Sequence, residues 1–209
     1  GSMCSLLHYV IDEPQRPNAQ ESGYILSEIL QAGENVNLLL YNLMEWGKAQ
    51  QADIKLRPQA IGLRVCVEGI FALLSSQAAT KSVRLIDDVE PGLSLIADAD
   101  SLQTILRNLV SNAVKFTAPG GRVAVKAEGD VDRVLIFVAD NGVGMDQATL
   151  KAALDSSTRL PNRGTKGEKG IGLGLILCKD LAEMNGGSIH IESETGKGTV
   201  VTLELAVRR

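Results

Sequence analysis

Two asparagines and a lysine on one helical strip are the first residues whose types could do chemistry together. Asn108 and Asn112 stand four apart and Lys115 follows three later, in the stretch DSLQTILRNLVSNAVK over Asp100–Lys115. At about 100° per residue the three fall within roughly 60° of one another on a helix. An amide oxygen there can hold a magnesium ion, and the ammonium can neutralise phosphate. The same strip would serve as a plain solvated face. A second group, Asp140-Asn141-Gly142-Val143-Gly144, ends the apolar run VLIFVA. Its aspartate can accept a hydrogen bond from an exocyclic amine such as that of adenine, and Gly142 and Gly144 would let backbone approach a flat ring with no Cβ in the way. Taken alone, Asp-Asn-Gly is equally a hairpin turn. A third group, Gly170, Gly172 and Gly174, opens a helix, where backbone N–H groups at the positive end can meet phosphates. It is not a P-loop, because no G-x-x-x-x-G-K-[ST] occurs, and a polar loop stands where a dinucleotide fingerprint needs a strand.

Each group is ambiguous by itself; their order is not. N-x-x-x-N-x-x-K, then D-x-G-x-G, then a long polar segment, then G-x-G-x-G supplies in turn a metal ligand, a base acceptor, a gate and phosphate donors. Those are the parts of an ATP site.

The elements that must position these groups follow from periodicity. Leu102, Ile105, Leu106, Leu109, Val110 and Ala113 recur at three- and four-residue steps, predicting an amphipathic helix that Asp98 or Asp100 can cap. Upstream, Ile54 and Leu56 suggest a short strand ending at Pro58, and Leu63 to Ala79 a helix. Val83 to Asp87 and Leu93 to Ala97 read as two strands joined by the turn DVEPG. Strands are expected at Arg122–Glu128 and Arg133–Ala139, joined by a turn at Gly129-Asp130, with a helix at Asp146–Leu154. The segment Asp155–Lys169, polar and rich in breakers, reads as a mobile loop. Ile171–Met184 returns to helix and ends at Asn185-Gly186-Gly187, and strands Ser188–Ser193 and Thr199–Ala206 close the chain. Strands with helices between them predict an α/β fold, a two-layer sandwich of one mixed sheet covered by helices on one face.

The first 52 residues read differently from the remainder, 53–209. Cys4–Asp12 suggests a turn or two of helix, cut by Pro14, and a long helix is predicted from Gln20 to Gln50. Ile25, Ile29, Val36, Leu39, Leu40, Leu43 and Trp46 form its stripe, widened by Leu26, Leu30 and Leu38. That is more apolar surface than one helix needs to dock on one domain, which points to a helical partner. Packing within the same chain is the alternative. Gly1-Ser2-Met3 reads as a cloning remnant, so the native chain is expected to continue upstream.

Composition bounds the rest. With 44% apolar and 22% charged residues the 209-residue chain is ordinary globular material, and with 3% aromatics its core must be aliphatic. A net charge of −4 argues against bulk binding to nucleic acid or anionic membrane. No apolar run is long enough to span a bilayer, and no stretch reads as a signal peptide. Cys4, Cys66 and Cys178 are scattered without metal-ligand spacing and read as buried or surface thiols in a reducing cytosol. His190 alternates with Ile189 and Ile191, which places it on the polar face of a strand rather than in a metal site.

The motifs together resemble the ATP-binding domain of sensor histidine kinases, in the superfamily that also holds gyrase, the heat-shock ATPase chaperones and the mismatch-repair ATPases. NLVSNAVKFT resembles that family's N box, DNGVGM its first glycine box, GEKGIGLGL its second and Gly196-Lys197-Gly198-Thr199 its last, so the resemblance covers about Pro58 to Ala206. It implies a Bergerat-type ATP fold and ATP with Mg2+ as ligands. It further implies that Asn112 coordinates the magnesium, that Asn108 assists at the phosphates, and that Lys115 contacts phosphate. Asp140 would bind the adenine amine with Thr199 beside it. Gly142, Gly144, Gly170, Gly172 and Gly174 would shape the pocket and the lid hinges. The family's phenylalanine box is not visible in the lid, where Ala153-Leu154-Asp155 stands instead, and this bears on how the lid closes.

NLMEWGKAQ resembles the second helix of the family's dimerisation and phosphotransfer domain. Residues 1–52 then make a truncated piece of that domain, and a homodimer through the N-terminal helix is implied. His8 is followed by Tyr9 and no nearby proline, unlike a phosphoacceptor, so the acceptor histidine is expected upstream and His8 is not favoured for the role. The implied activity is transfer of the ATP γ-phosphoryl to a histidine and thence to a response-regulator receiver aspartate. The implied place is the cytoplasm, with any membrane anchor lying in other regions of the protein. Two other readings stay open at this point. One is a silent ATP-binding and dimerisation module that regulates a partner kinase. The other is an ATPase or serine kinase of the same superfamily.

Overall fold

The computed structural model describes residues 33, 56–129, 132–153, 164–165 and 174–206. The chain divides into two compact units, Gly1–Gly47 and Lys48–Arg209, and the second holds every strand of the described residues. Except for Gly33, which is helical, the expected helices of the first 50 residues lie outside the described residues.

The order of elements is β1 (Pro58–Gly62), α1 (Leu63–Thr80), β2 (Arg84–Val89), β3 (Ser94–Asp98), α2 (Ala99–Phe116), β4 (Arg122–Gly129), β5 (Arg133–Asp140), α3 (Gln147–Ala153), α4 (Gly174–Met184), β6 (Ser188–Glu194) and β7 (Gly198–Ala206). Five strands form one mixed sheet in the order β2-β4-β5-β7-β6, parallel between β2 and β4 and antiparallel elsewhere. Alternation along the strands sorts their side chains between two faces. Val123, Val125, Val134, Ile136, Val138, Val201, Leu203 and Leu205 are buried on one. There they meet Leu63, Val67 and Ile70 of α1, Ile105, Leu106 and Leu109 of α2, and Leu177 and Leu181 of α4 in a single aliphatic core. Lys126, Glu128 and the half-buried Leu135 and Phe137 lie on the other face. The expected two-layer α/β sandwich with a mixed sheet is the observed fold.

Two local expectations need correction. The strand expected to end at Pro58 begins there instead; Leu56 and Arg57 precede it, and Ile54 lies outside the described residues. Proline lacks an N–H and is tolerated at the first position of an edge strand, which is where β1 places it. The strands on either side of DVEPG both form, but they do not pair with each other. β3 turns to β1 in a separate two-stranded antiparallel sheet, with Ala60 opposite Ile96, while β2 runs parallel to β4. The Pro91-Gly92 turn, with Gly92 at φ 89°, reverses the chain without bringing its flanks together. The single expected sheet therefore has a small companion at the start of α2.

Candidate ATP site

The asparagine-bearing helix starts where Asp98 stops β3. Asp98 holds extended backbone at φ −71° and ψ 120°, and its Oδ1 accepts from Ser101 N and Ser101 Oγ, each at 2.9 Å. Its Oδ2 accepts from Arg57 N at 3.0 Å. Between the two candidate caps the structure selects Asp98. Its own N–H donates to Asn185 Oδ1 at 3.1 Å, and Asn185 Nδ2 donates to Leu181 O, so the end of α4 is tied to the start of α2. The two helices lie against each other, and Cys178 of α4 sends its thiol to Ile105 O.

That packing brings the two asparagines to the first residue of α4. Asn108 is 4% exposed and donates back to Thr104 O at 3.1 Å. A Cβ added at Gly174 would stand 3.6 Å from Asn108 Oδ1 and 3.7 Å from Asn112 Nδ2. One glycine of the last cluster thus sits beside both amides; Gly170 and Gly172 lie outside the described residues. Lys115, half-buried on the next turn, carries its ammonium 4.8 Å from the centre of the Phe116 ring.

Asp140 ends β5 directly opposite Thr199 on β7. Its Oδ1 accepts from Gly142 N at 2.8 Å and from Thr199 N at 3.3 Å. Among the described residues both of these bonds fall on one oxygen, Oδ1. Burial pushes the Asp140 carboxyl above its ordinary range, against the opposing pull of the two backbone N–H groups. A half-buried carboxylate with one oxygen fixed is suited to accept from a ligand's amine.

The glycines after it owe their identity to the chain itself. A Cβ at Gly142 would collide with Phe116 O, and one at Gly144, which has φ 63°, with Glu194 O. Gly198 at φ 101° is closed in the same way by Asp140 O. At each of these positions the direction a Cβ would take is occupied by the protein's own carbonyls. These contacts dock the Asp140 loop on the end of α2, where Val143 N donates to Phe116 O at 3.1 Å. Phe116 is one helical turn beyond Asn112, so the base-binding and metal-binding candidates share one edge of α2. Asp-Asn-Gly is accordingly no hairpin turn, since β5 pairs with β4 and β7 rather than with the segment after Gly144.

Ser193 went unnoticed in the sequence. Its hydroxyl lies 2.9 Å from Thr199 Oγ1, accepts from Met145 N at 2.8 Å and reaches Gly198 O at 3.1 Å, tying both glycine segments to the end of β6. Only its place at the end of an alternating strand marked it. His190 is exposed on β6 beside Glu192, as its alternation indicated, and no cluster of metal-ligating side chains occurs among the described residues.

The family model described as histidine kinase-, DNA gyrase B- and HSP90-like ATPase matches residues 97–209, which begins at β3 and takes in the asparagine helix and all the glycine clusters. The histidine protein kinase DivJ of Caulobacter vibrioides is 34% identical over 180 residues, 86% of this chain and 30% of that protein. The chain spans about a third of the length of the curated relatives it matches first. Among solved structures, the Acinetobacter baumannii histidine kinase AdeS superposes with a TM-score of 0.74 at 14% identity, over 99% of this chain and 94% of that one. The histidine kinase ThkA, solved in complex with the response regulator TrrA, gives 0.71 at 16% identity over 99% and 57%. At such identities the structures speak for the fold, and the family match for the lineage. The chain belongs to the histidine kinase-, gyrase B- and HSP90-like ATPases, and its ATP-binding domain is of the sensor histidine kinase type.

Proposed function

We propose that this chain supplies the ATP-binding catalytic part of a two-component sensor kinase, moving the γ-phosphoryl of ATP to a histidine on a dimerisation helix and thence to a receiver aspartate. The observation that carries this is the pairing of Asp140, its Oδ1 fixed by two backbone N–H groups, with the Asn108–Asn112–Gly174 cluster on the same edge of α2. An adenine amine and a magnesium-bound phosphate chain need that pair of environments. The donor set fits both groups: a half-buried carboxylate for the amine, and amide oxygens for a hard cation.

In this reading Asp140 selects the base and Thr199 holds its carboxylate in place. Asn112, with Asn108 behind it, holds Mg2+, which when bound neutralises phosphate charge. Lys115 contacts phosphate, and Gly170, Gly172 and Gly174 present backbone to it. Phosphoryl transfer has a loose transition state, so the work of these side chains is positioning and charge neutralisation rather than covalent chemistry. Residues 1–52 are assigned to the dimerisation and phosphotransfer region and make a homodimer. The partner is a response-regulator receiver domain, which the neighbour solved with its response regulator supports. The place of action is the cytoplasm; no described helix is long and apolar enough to cross a membrane.

The test is label transfer. The chain is incubated with γ-labelled ATP and Mg2+, together with a histidine-bearing dimerisation domain and a receiver domain. Acid-labile label on histidine that chases to the receiver is expected. Nucleotide binding with no label on either protein would leave a silent module as the better reading. Steady phosphate release with no labelled protein would mean that water is the acceptor.

A further inference from the structure

The C-terminal turn of α2 is held by a buried cation that has no part in the ATP site proper. Lys81 is the C-cap of α1, is 3% exposed, and is followed by Ser82 in the left-handed region at φ 54°. Its ammonium donates to Lys115 O at 2.6 Å and to Thr165 Oγ1 at 2.6 Å. Burying an ammonium is costly unless acceptors surround it, and the last carbonyls of a helix, at the negative end of its dipole, are suitable ones. Thr165 completes the arrangement. Its hydroxyl donates to Thr117 O at 2.9 Å while accepting from Lys81, and its N–H donates to Lys115 O at 3.2 Å. A hydroxyl is required here because one atom must both give and receive.

Thr165 belongs to the segment between α3 and α4, which joins the Asp140 loop to the glycine cluster. The carbonyls of Lys115, Phe116 and Thr117 are therefore taken in succession by Lys81 with Thr165, by Val143 of the Asp140 loop, and by Thr165 again. One turn of helix fastens α1, the Asp140 loop and Thr165 together.

We propose that Lys81 and Thr165 are positioning residues for nucleotide binding. By holding the Lys115 and Thr117 carbonyls they fix the turn of the asparagine helix on which the Asp140 loop docks, and so set the distance between the phosphate-side and base-side groups. The inference rests on the reading of this site as an ATP site.

The experiment is Mg-ATP binding by calorimetry for the full chain, its Thr165→Val and Thr165→Ser variants, Lys81→Met, and the Lys81→Met/Thr165→Val double variant. Valine matches threonine in shape but removes the hydroxyl, and should weaken ATP about tenfold. Serine restores the hydroxyl and should bind within about twofold of the parent. Because the two residues share a bond and hold the same turn, the loss in the double variant should be smaller than the sum of the two single losses. A merely structural role would lower the melting temperature of Thr165→Val without changing binding measured well below it. Equal ATP affinity of the valine and serine variants overturns the proposal, whereas failure of the parent to bind ATP overturns the site assignment instead. Amide exchange on the unsubstituted chain without nucleotide gives a second check that needs no variant. The Thr165 N–H should be protected like those of the last turn of α2, and exchange at the rate of an open amide refutes the tether.

Discussion

Asp140→Asn separates what the site does from what the fold needs. An asparagine can keep its carbonyl oxygen where Oδ1 now accepts from Gly142 N at 2.8 Å and Thr199 N at 3.3 Å. Its amide nitrogen then takes the place of Oδ2, and in the proposed site a donor would face the adenine amine where an acceptor stood. A hydrogen bond to a charged group contributes about 1.5–3 kcal/mol, so ATP should bind roughly 10- to 150-fold more weakly. Stability should move the other way. Burial raises the folded-state pKa of Asp140 above its unfolded value, although the bonds from Gly142 and Thr199 oppose this. Between those two values the folded state binds more protons, so this group's contribution to stability falls as pH rises through the window and stays lower above it. At neutral pH the neutral asparagine should therefore melt no lower than the parent.

Inosine triphosphate makes the test sharper, because a carbonyl replaces the amine at the same ring position. The parent should prefer ATP; the variant, offering a donor, should lose that preference or reverse it. Calorimetric titration of both nucleotides into both proteins measures all four affinities. Equal losses for the two nucleotides, or a variant that binds ATP within twofold of the parent, would refute the assignment of Asp140 to the amine. Lowering the pH of the parent should also weaken ATP binding, beginning above the ordinary carboxylate range, as the raised carboxyl takes up its proton.

Gly144→Ala should lower the melting temperature by about 5 °C or more, since its Cβ meets Glu194 O and its φ is 63°. Gly196→Ala, at φ 80° in open space, carries only the backbone strain and should cost clearly less by calorimetric scan. Asp98→Ala removes the cap of α2 and should cost about 0.5–2 kcal/mol in urea. Burial works upward on the Asp98 carboxyl, but bonds from Arg57 and Ser101 outweigh it and hold it below the usual range. Its stabilisation is thus present above the unfolded pKa and lost as pH falls through the folded one, so acid titration should close the gap between parent and Asp98→Ala. Cys178 is fully buried and its thiol is pushed up by burial, so a maleimide followed by mass spectrometry should leave it unmodified until the domain unfolds.

Legibility in the residues divides along the range of the interactions. α2 was legible in its extent and its apolar face, because those signals sit within a turn or two of one another, while the choice of Asp98 over Asp100 as its cap and the burial of Asn108 were not. β4 and β5 were legible because alternation is local. The pairing of β3 with β1 rather than β2 was not, since a Pro-Gly turn specifies reversal and leaves the choice of neighbour to packing. Lys81 gave no signal at all. A lysine between a helix and a strand is ordinarily solvated, and its burial depends on acceptors 34 and 84 residues away.

Gly142 and Gly144 show the subtler limit. Their pattern announced that a side chain could not be accommodated at these positions. What excludes the side chain is invisible in the pattern, because the excluding atoms belong to Phe116 and Glu194. That difference changes what the motif is for. Glycines that admit a ligand would tolerate alanine in the empty protein and fail only on binding; glycines that admit the protein's own carbonyls are needed before any ligand arrives. The first glycine box therefore acts as the joint that holds Asp140 beside the asparagine helix, and a substitution in it should be read first as a loss of folding and only then as a loss of affinity.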